Sequence, residues 1–410
     1  MVPRMNYWSR VVSPDALLPT VTAFDKMVLD TATSILKLPP LSYEAQLQLT
    51  LPIRHGGFGL RSMVLTSPVA WWSALAQAFH FIFLLIPDLD VLGADVPFVK
   101  SQSLCHAFFK KYKVPLNGPV PPDPNNFWST YRTDPAPSGT QRTLMVSIYK
   151  SVYLHLKSRF KSPSPDFARI ISVSEKSTGL WLTTLPFHPS LSINNSHFSV
   201  ASRIRLGLPP TDGIDTCSCS APLLTNPLHF LECQASRPLA TARHDRLLHT
   251  LVRIARSVGI AVVVEPRLSV DDKSRTDGNF YLSSCSSQID VSVVHPSAKS
   301  YRRAASKPLG AALGREKLKN TLYLERAQAN GSKFYPVVFE SYGAIGPRAR
   351  EFIRLLNDEA GSHSIYNLYG LSVTNFILRS LAVVLQVSNS VLCLTASIKA
   401  RKKRSEVNGH

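Results

Sequence analysis

Acidic side chains are scarce in this chain of 410 residues: 27 Asp and Glu stand against 46 Lys and Arg, a net charge of +19. That balance favours polyanionic partners, nucleic acid above all, because neutralised phosphates release counterions. A merely basic soluble protein would share it. Cysteine is also scarce, with six residues and no paired spacing that repeats along the chain. This argues against a secreted disulfide scaffold. The N-terminal "MVPRMNYWSRVVSPD" has no apolar core of signal-peptide length, so secretion is not expected. No internal repeat is visible. One run calls for a membrane check: the 26 residues from Ser62 to Pro87 hold no Lys, Arg, Asp or Glu. Pro68, Ser73, Gln77 and His80 interrupt that run and no basic cluster flanks it. It therefore reads as a buried core helix, and a membrane is not expected as a partner.

What is present suffices for a globular chain. Hydrophobic residues make up 44%, and the length is that of two to four domains. Residues 15–110 read as mostly helical: "AFDKMVLDTATSILKL" has helical apolar spacing and stops at Pro39 and Pro40, and "LPIRHGGFGLRS" (Leu51–Ser62) is a Gly-rich turn between helical runs. Seven prolines fall within residues 113–141, the composition of a linker or extended loop. A helix resumes at Arg142–Lys157, and a compact helical stretch leads to residue 212. Further on, "TARHDRLLHTLVRIARSVG" is an amphipathic helix with Leu247, Leu248, Leu251, Val252, Ile254 and Ala255 on one face. The strand-like segments Ile260–Glu265, Gly278–Ser283 and Gln288–Val294 follow. A helix over about Ala311–Asn330, a strand in "KFYPVVFES" and a helix in "PRAREFIRLLNDE" complete an α-β-β-β-α-β-α order, a small mixed α/β domain. The chain closes with an apolar helix and the basic run "KARKKR" (Lys399–Arg404), which reads as a nuclear import signal or a solvated tail.

Three of the six cysteines fall with one histidine inside "CSCSAPLLTNPLHFLEC" (Cys217–Cys233). Thiolates and imidazole supply the tetrahedral donor set that zinc requires. Cys217-x-Cys219 is tighter than the usual two-residue gap, but a chain reversal can aim both sulfurs inward, and His229 and Cys233, four apart, would share a face if helical. Buried free thiols and a Cys217–Cys233 disulfide are the competing readings. A zinc ion here would be structural, with all four positions closed by protein.

A second constellation is acidic. Glu265 closes the first strand of the α/β region, Asp277 precedes the second, and Asp290 lies inside the third. Strand alternation puts Asp290 and Ser292 opposite Ile289, Val291 and Val293. Asp is disfavoured in strands, and a buried one needs a partner or a metal. Lys319 is on the next helix. Converging carboxylates can hold Mg²⁺, and a nearby lysine can orient or activate water, which is the chemistry of phosphodiester cleavage. An edge-strand aspartate facing water and a solvated lysine are the plainer reading.

Taken in order, these segments resemble the C-terminal part of a non-LTR retrotransposon polyprotein of the class carrying a restriction-endonuclease-like domain. "LPIRHGGFGLRS" is similar to the sequence following the reverse-transcriptase thumb. "GLWLTTLP...FSVASRIRLGLP" resembles the region before the zinc knuckle, and "CSCSAPLLTNPLHFLEC" the knuckle itself. "SRTDGNFYL...QIDVSVVHP" and "REKLKNTLY...GSKFYPVVFESYG" resemble the endonuclease core. The likeness covers about Leu17 to Asp358. It implies a multidomain chain: a thumb-like helical region (1–110), a Pro-rich linker (111–141), a helical module (142–212), a CCHC zinc knuckle (213–236), an α/β restriction-endonuclease-like domain of PD-(D/E)XK type (237–360), and a C-terminal helix with basic tail (361–410). By the same likeness, Cys217, Cys219, His229 and Cys233 bind zinc. Asp277 and Asp290 bind catalytic magnesium, Glu265 assists, and Lys319 is the lysine moved from strand to helix. The implied partners are target DNA and retroelement RNA in the nucleus, with no small-molecule cofactor. A non-catalytic zinc-knuckle binding protein and a degenerate retroelement remnant are the alternatives. The chain departs from the family in four places: Arg275-Thr276 precedes Asp277 where a proline is usual, no lysine follows two residues after Asp290, the insertion between Asp290 and Lys319 is long, and Leu322 stands where a basic residue is often found. No Asp-Asp pair of a reverse-transcriptase palm is present, so RNA copying is not expected of this chain.

Overall fold

A computed structural model describes residues 2–86, 97–115, 120, 130–266, 275–361 and 370–408. The fold is mostly helical with one small four-stranded mixed sheet. Contacts group it into two units, residues 1–35 with 42–159, and residues 36–41 with 160–410. The sequence had set 1–110, 111–141 and 142–212 apart. In the fold, 142–159 belongs with the N-terminal helices, and the rest of the helical module joins the cysteine cluster and the sheet. Much of the expected Pro-rich linker lies outside the described residues, but at its end Ala136 N–H donates to Ala76 C=O at 2.9 Å.

The first unit is built from α1 (Val2–Val11), α2 (Pro14–Leu36), α3 (Tyr43–Thr50), α4 (Met63–Leu85), α5 (Pro97–Lys111) and α6 (Thr140–Ser158). The long uncharged run forms α4, and Val69, Trp72, Ala76 and Phe79 are buried along it. Asp25 fixes its start, accepting Met63 N–H at 2.7 Å, Val64 N–H at 3.1 Å and the Ser62 hydroxyl at 2.6 Å. A carboxylate there satisfies orphan amides and faces the positive end of the helix dipole. The Gly-rich turn before α4 has a steric cause. A Cβ on Gly57 would lie 2.0 Å from Leu51 O and 2.5 Å from Gln48 O, both backbone atoms. Gly57→Ala should therefore lower stability by about 2 kcal/mol or more, read as a fall in the denaturant midpoint. A change under about 0.5 kcal/mol would mean that the turn yields freely.

The second unit carries α7 (Pro165–Val173), α8 (Asn195–Leu206), α9 (Arg237–Ser257), α10 (Gly310–Ala329), α11 (Pro347–Ala360) and α12 (Val373–Asn408), with strands β1 (Ala261–Val264), β2 (Gly278–Tyr281), β3 (Ser286–Val294) and β4 (Ser332–Glu340). Strand order is β1-β2-β3-β4, antiparallel except for the β3/β4 pair. That parallel pair needs a crossover, which α10 supplies. Alternation sorts the faces. Ile289 and Val291 of β3 and Tyr335, Val337 and Phe339 of β4 enter one core with α9, α11 and α12, where Phe280 meets Phe352 edge to face at 5.0 Å. Val294 and Val338 turn to the other side, against Ala311 and Ala312 of α10. The period-two reading of β3 is thus realised, with Asp290 on the α10 side.

Two helices, Met63–Leu85 and Val373–Glu406, are long and apolar enough to cross a membrane by length and composition, and 67% of the most apolar window of the second is buried inside the protein. The basic run forms the last turns of α12, with Arg401 donating to Asp212 O, Lys403 to Ser218 O, and Arg404 pairing with Asp215. Lys399 and residues 401–404 stay exposed, so the side chains of this helix end are solvated as well as anchored by these surface contacts.

His295, after β3, is fully enclosed. Its Nδ1 lies 2.7 Å from Ser341 Oγ, and burial followed by the charges of Arg243 and Arg302 pushes its pKa down to about 3. A depressed histidine pKa means that the unfolded chain takes up the proton first, so the fold loses stability as pH falls from about 6.5 towards 3. His295→Gln should flatten that part of the stability–pH curve, measured by chemical denaturation at pH 7, 6 and 5. An unchanged slope would show that other groups carry the acid sensitivity.

Candidate metal centre and candidate active pocket

The cysteine cluster is assembled by turns. Cys217 N–H donates to Ala221 O at 2.9 Å, Ser220 N–H donates to Cys217 O at 2.8 Å, and Ser220 takes a left-handed φ of 70°. This reversal brings Cys217 and Cys219 to one side. His229 arrives on a 3-10 turn, His229–Leu231, and Cys233 leads into a second, Gln234–Ser236. The expected helical turn is absent, yet the tighter turns bring the same side chains together.

All four ligand atoms lie within 4.8 Å of one another. Cys219 Sγ is 3.2 Å from His229 Nε2, and Cys217 Sγ is 3.6 Å from Cys233 Sγ. Two sulfurs on a zinc tetrahedron with ~2.3 Å bonds would be about 3.8 Å apart, whereas a disulfide requires about 2.05 Å. The cysteines are free thiols, which removes the disulfide reading. The Cys217, Cys219, His229 and Cys233 set can hold a metal ion such as zinc. Glu232 stands 3.7 Å from His229 Nδ1 and accepts from Asn226, so the far side of the ring faces a fixed carboxylate. Burial tends to raise the Cys219 thiol, but the Ala221 amide, His229 and the neighbouring thiols bring it down to about 7, while burial pushes Cys233 up to about 12.

The cluster is also part of a core. Cys217, Leu223, Leu228, Phe230, Leu231 and Cys233 pack with Val200 and Ile204 of α8, Tyr342 after β4, and Leu392, Cys393 and Ala396 of α12.

The acidic constellation forms a pocket because the strands differ in length. β2 pairs with β3 only as far as Gly278 opposite Ile289, while β3 runs on to Val294 beside β4. Beyond that point the β2 side of β3 is open. Asp277, just before β2, caps the gap, its Oδ2 accepting Val291 N–H at 2.6 Å. Asp290 is buried beside it and meets Lys319 Nζ of α10 at 2.8 and 2.9 Å. Burial, then the negative charge of Asp277, raises the Asp290 pKa, and Lys319 opposes them. The resulting pocket has a volume of about 290 Å³ and is lined by Asp277, Asp290 and Lys319 together with Arg237, His244 and Arg315. Lys319 is held further by the Tyr323 ring, 5.4 Å from its centroid.

Glu265 is not in this lining. It turns outward after β1, exposed, with its carboxylate 3.3 Å from Arg275. The short β1–β2 pairing fixes only its backbone, whose N–H donates to Asp277 O at 3.0 Å. In its place stands His244 of α9, which the sequence reading did not single out. Its Nε2 is 2.8 Å from Asp277 Oδ2 and its Nδ1 is 3.0 Å from Asp245 Oδ1. The Asp277 and Asp245 carboxylates raise the His244 pKa to about 9 against the opposing effect of burial. One signal was available, since His244 lies just outside the apolar stripe that begins at Leu247. Among the described residues, no group of three His, Cys, Asp or Glu ligand atoms other than the cysteine cluster converges as a metal site. The chain matches no protein-family model and no curated protein.

Proposed function

We propose that this chain is a retrotransposon-derived, metal-dependent DNA endonuclease of the restriction-endonuclease-like class, in which the cysteine cluster is a structural zinc knuckle. The observation carrying the reading is the meeting of Asp277, Asp290 and Lys319 in one basic pocket where β2 stops short of β3. Two carboxylates suit magnesium, which keeps several waters and completes its shell with substrate phosphate. Asp277 and Asp290 would hold it, and the ion would stabilise developing charge and lower the pKa of a bound water. The Asp277 Oδ1 atom makes no hydrogen bond among the described residues and is the ligand atom left over. Lys319 orients the attacking water or neutralises the phosphate, and Arg237 and Arg315 hold phosphate at the pocket mouth. In this reading His244 keeps Asp277 in its rotamer, the role first given to Glu265 being left without an acid. Target DNA and element RNA are the partners, and the nucleus is the compartment, with "KARKKR" as an address.

One observation favours a binding protein without catalysis. Asp277 Oδ2 is already engaged by both His244 and Val291, and no third carboxylate lines the pocket. Plasmid nicking separates the two. Mg²⁺-dependent relaxation of supercoiled DNA that disappears with chelator and in Asp290→Ala supports the enzyme. Equal nicking by the variant, or none by the wild type while DNA is bound, sinks it.

A further inference from the structure

A second cationic pocket lies wholly within the first unit. Arg10 of α1, Arg54 of the 3-10 turn Ile53–His55, Arg61 before α4 and Arg142 in the first turn of α6 line a cavity of about 540 Å³, with Gln77 and the buried Tyr149 on its walls. No Asp or Glu lines it. Among the described residues none of these four arginines pairs with a carboxylate; Arg10 has only Gln77, at 3.4 Å. Gathering four like charges without an acid costs repulsion that a bound anion would relieve. All four are exposed, so they reach a ligand without prior desolvation.

We infer that this pocket binds the phosphates of a single nucleic-acid strand, independently of sequence. Three features point to a strand. The cations come from four separate segments around the rim, which suits successive phosphates better than one. Each is arginine, whose planar fork matches phosphate oxygens in pairs. The α6 start at Gly139 brings no side-chain cap, so the positive end of that helix also faces the pocket. Base reading is not provided for: the Tyr149 ring is buried and offers no exposed stacking face, and no carboxylate waits for a base amine or ribose hydroxyl. The inference does not rest on the Asp277–Asp290 chemistry, since a strand can be held here whether or not it is cut.

The test is fluorescence anisotropy of the full chain with a labelled mixed-sequence single-stranded DNA of twenty nucleotides, titrated between 50 and 200 mM salt. Arg54→Gln with Arg142→Gln should weaken binding at least tenfold and reduce the slope of log K against log salt by about 1.4, the loss of two single-strand phosphate contacts. Lys26→Gln with Lys150→Gln removes the same charge from exposed positions of α2 and α6 outside the pocket, and should change affinity less than threefold. The titrations are run without Mg²⁺, so that binding is read whether or not the Asp277–Asp290 pocket can cut, which separates failure of this site from failure of the nuclease reading. Equal losses in the two double variants would overturn the inference, because net charge alone would then explain binding. Displacement of the oligonucleotide by inorganic phosphate at equal phosphate concentration would also overturn it, assigning the pocket to a small anion.

Discussion

Asp290→Asn is expected to remove Mg²⁺-dependent nicking by a factor of about 100 to 1,000 or more, the scale of losing a principal charge-stabilising group. The substitution keeps shape and removes charge, so the loss would report on the carboxylate itself. It also leaves Lys319 without its partner, and the side chains of Lys319 and Asp290 are only 13% and 6% exposed. Breaking one side of a buried pair costs about 3–5 kcal/mol, whereas removing both sides is often close to neutral. A protein carrying both Asp290→Asn and Lys319→Gln should therefore melt nearer to wild type than either single variant, and should still fail to nick. Rates of plasmid relaxation beside thermal melts of the same samples decide the matter. A folded double variant nicking within about threefold of wild type would remove Asp290 and Lys319 from the chemistry.

The second large effect concerns the knuckle. Stripping metal with a chelator, or changing Cys233 to Ala, should lower the melting temperature of the second unit by about 10 °C or more. Isolated zinc fingers derive about 10–16 kcal/mol of apparent binding energy from the metal. Even a quarter of that shifts a domain of this size by about 2–4 °C per kcal/mol. The knuckle supplies six residues to a core shared with α8, Tyr342 and α12, so loosening it reaches well beyond the loop. Cys219 discriminates the causes. It is exposed while Cys217 and Cys233 are buried, so Cys219→Ala deletes a ligand and almost no packing. If Cys219→Ala lowers both metal content and melting temperature much as Cys233→Ala does, the metal holds the core. If it changes neither, the cluster is a set of buried thiols.

The knuckle's place in the fold also changes what it joins. From the sequence it stood as a separate segment between a helical module and an α/β domain. Its side chains instead interdigitate with α8 and α12, and the end of α12 reaches over it through Lys403 and Ser218 O. Loss of metal is therefore expected to soften the unit as a whole.

By itself the sequence determined the features set by neighbours a few residues apart. Period two in "QIDVSVV" placed Asp290 opposite Ile289 and Val291. The apolar stripe of α9 gave a helix with its buried face, and the spacing of Cys217, Cys219, His229 and Cys233 gave a donor set for one metal. Tertiary structure alone decided who meets whom over long separations. That His244 reaches Asp277 across 33 residues, and that Glu265 turns away to Arg275, follow from α9 crossing the end of a sheet whose second strand is only four residues long. Four arginines from four segments likewise surround one pocket only after α1, α4 and α6 have packed. Side-chain periodicity is a property of the local backbone, while strand ends and helix crossings are settled by the packing of the whole core, and it is at those ends that the open positions for chemistry lie.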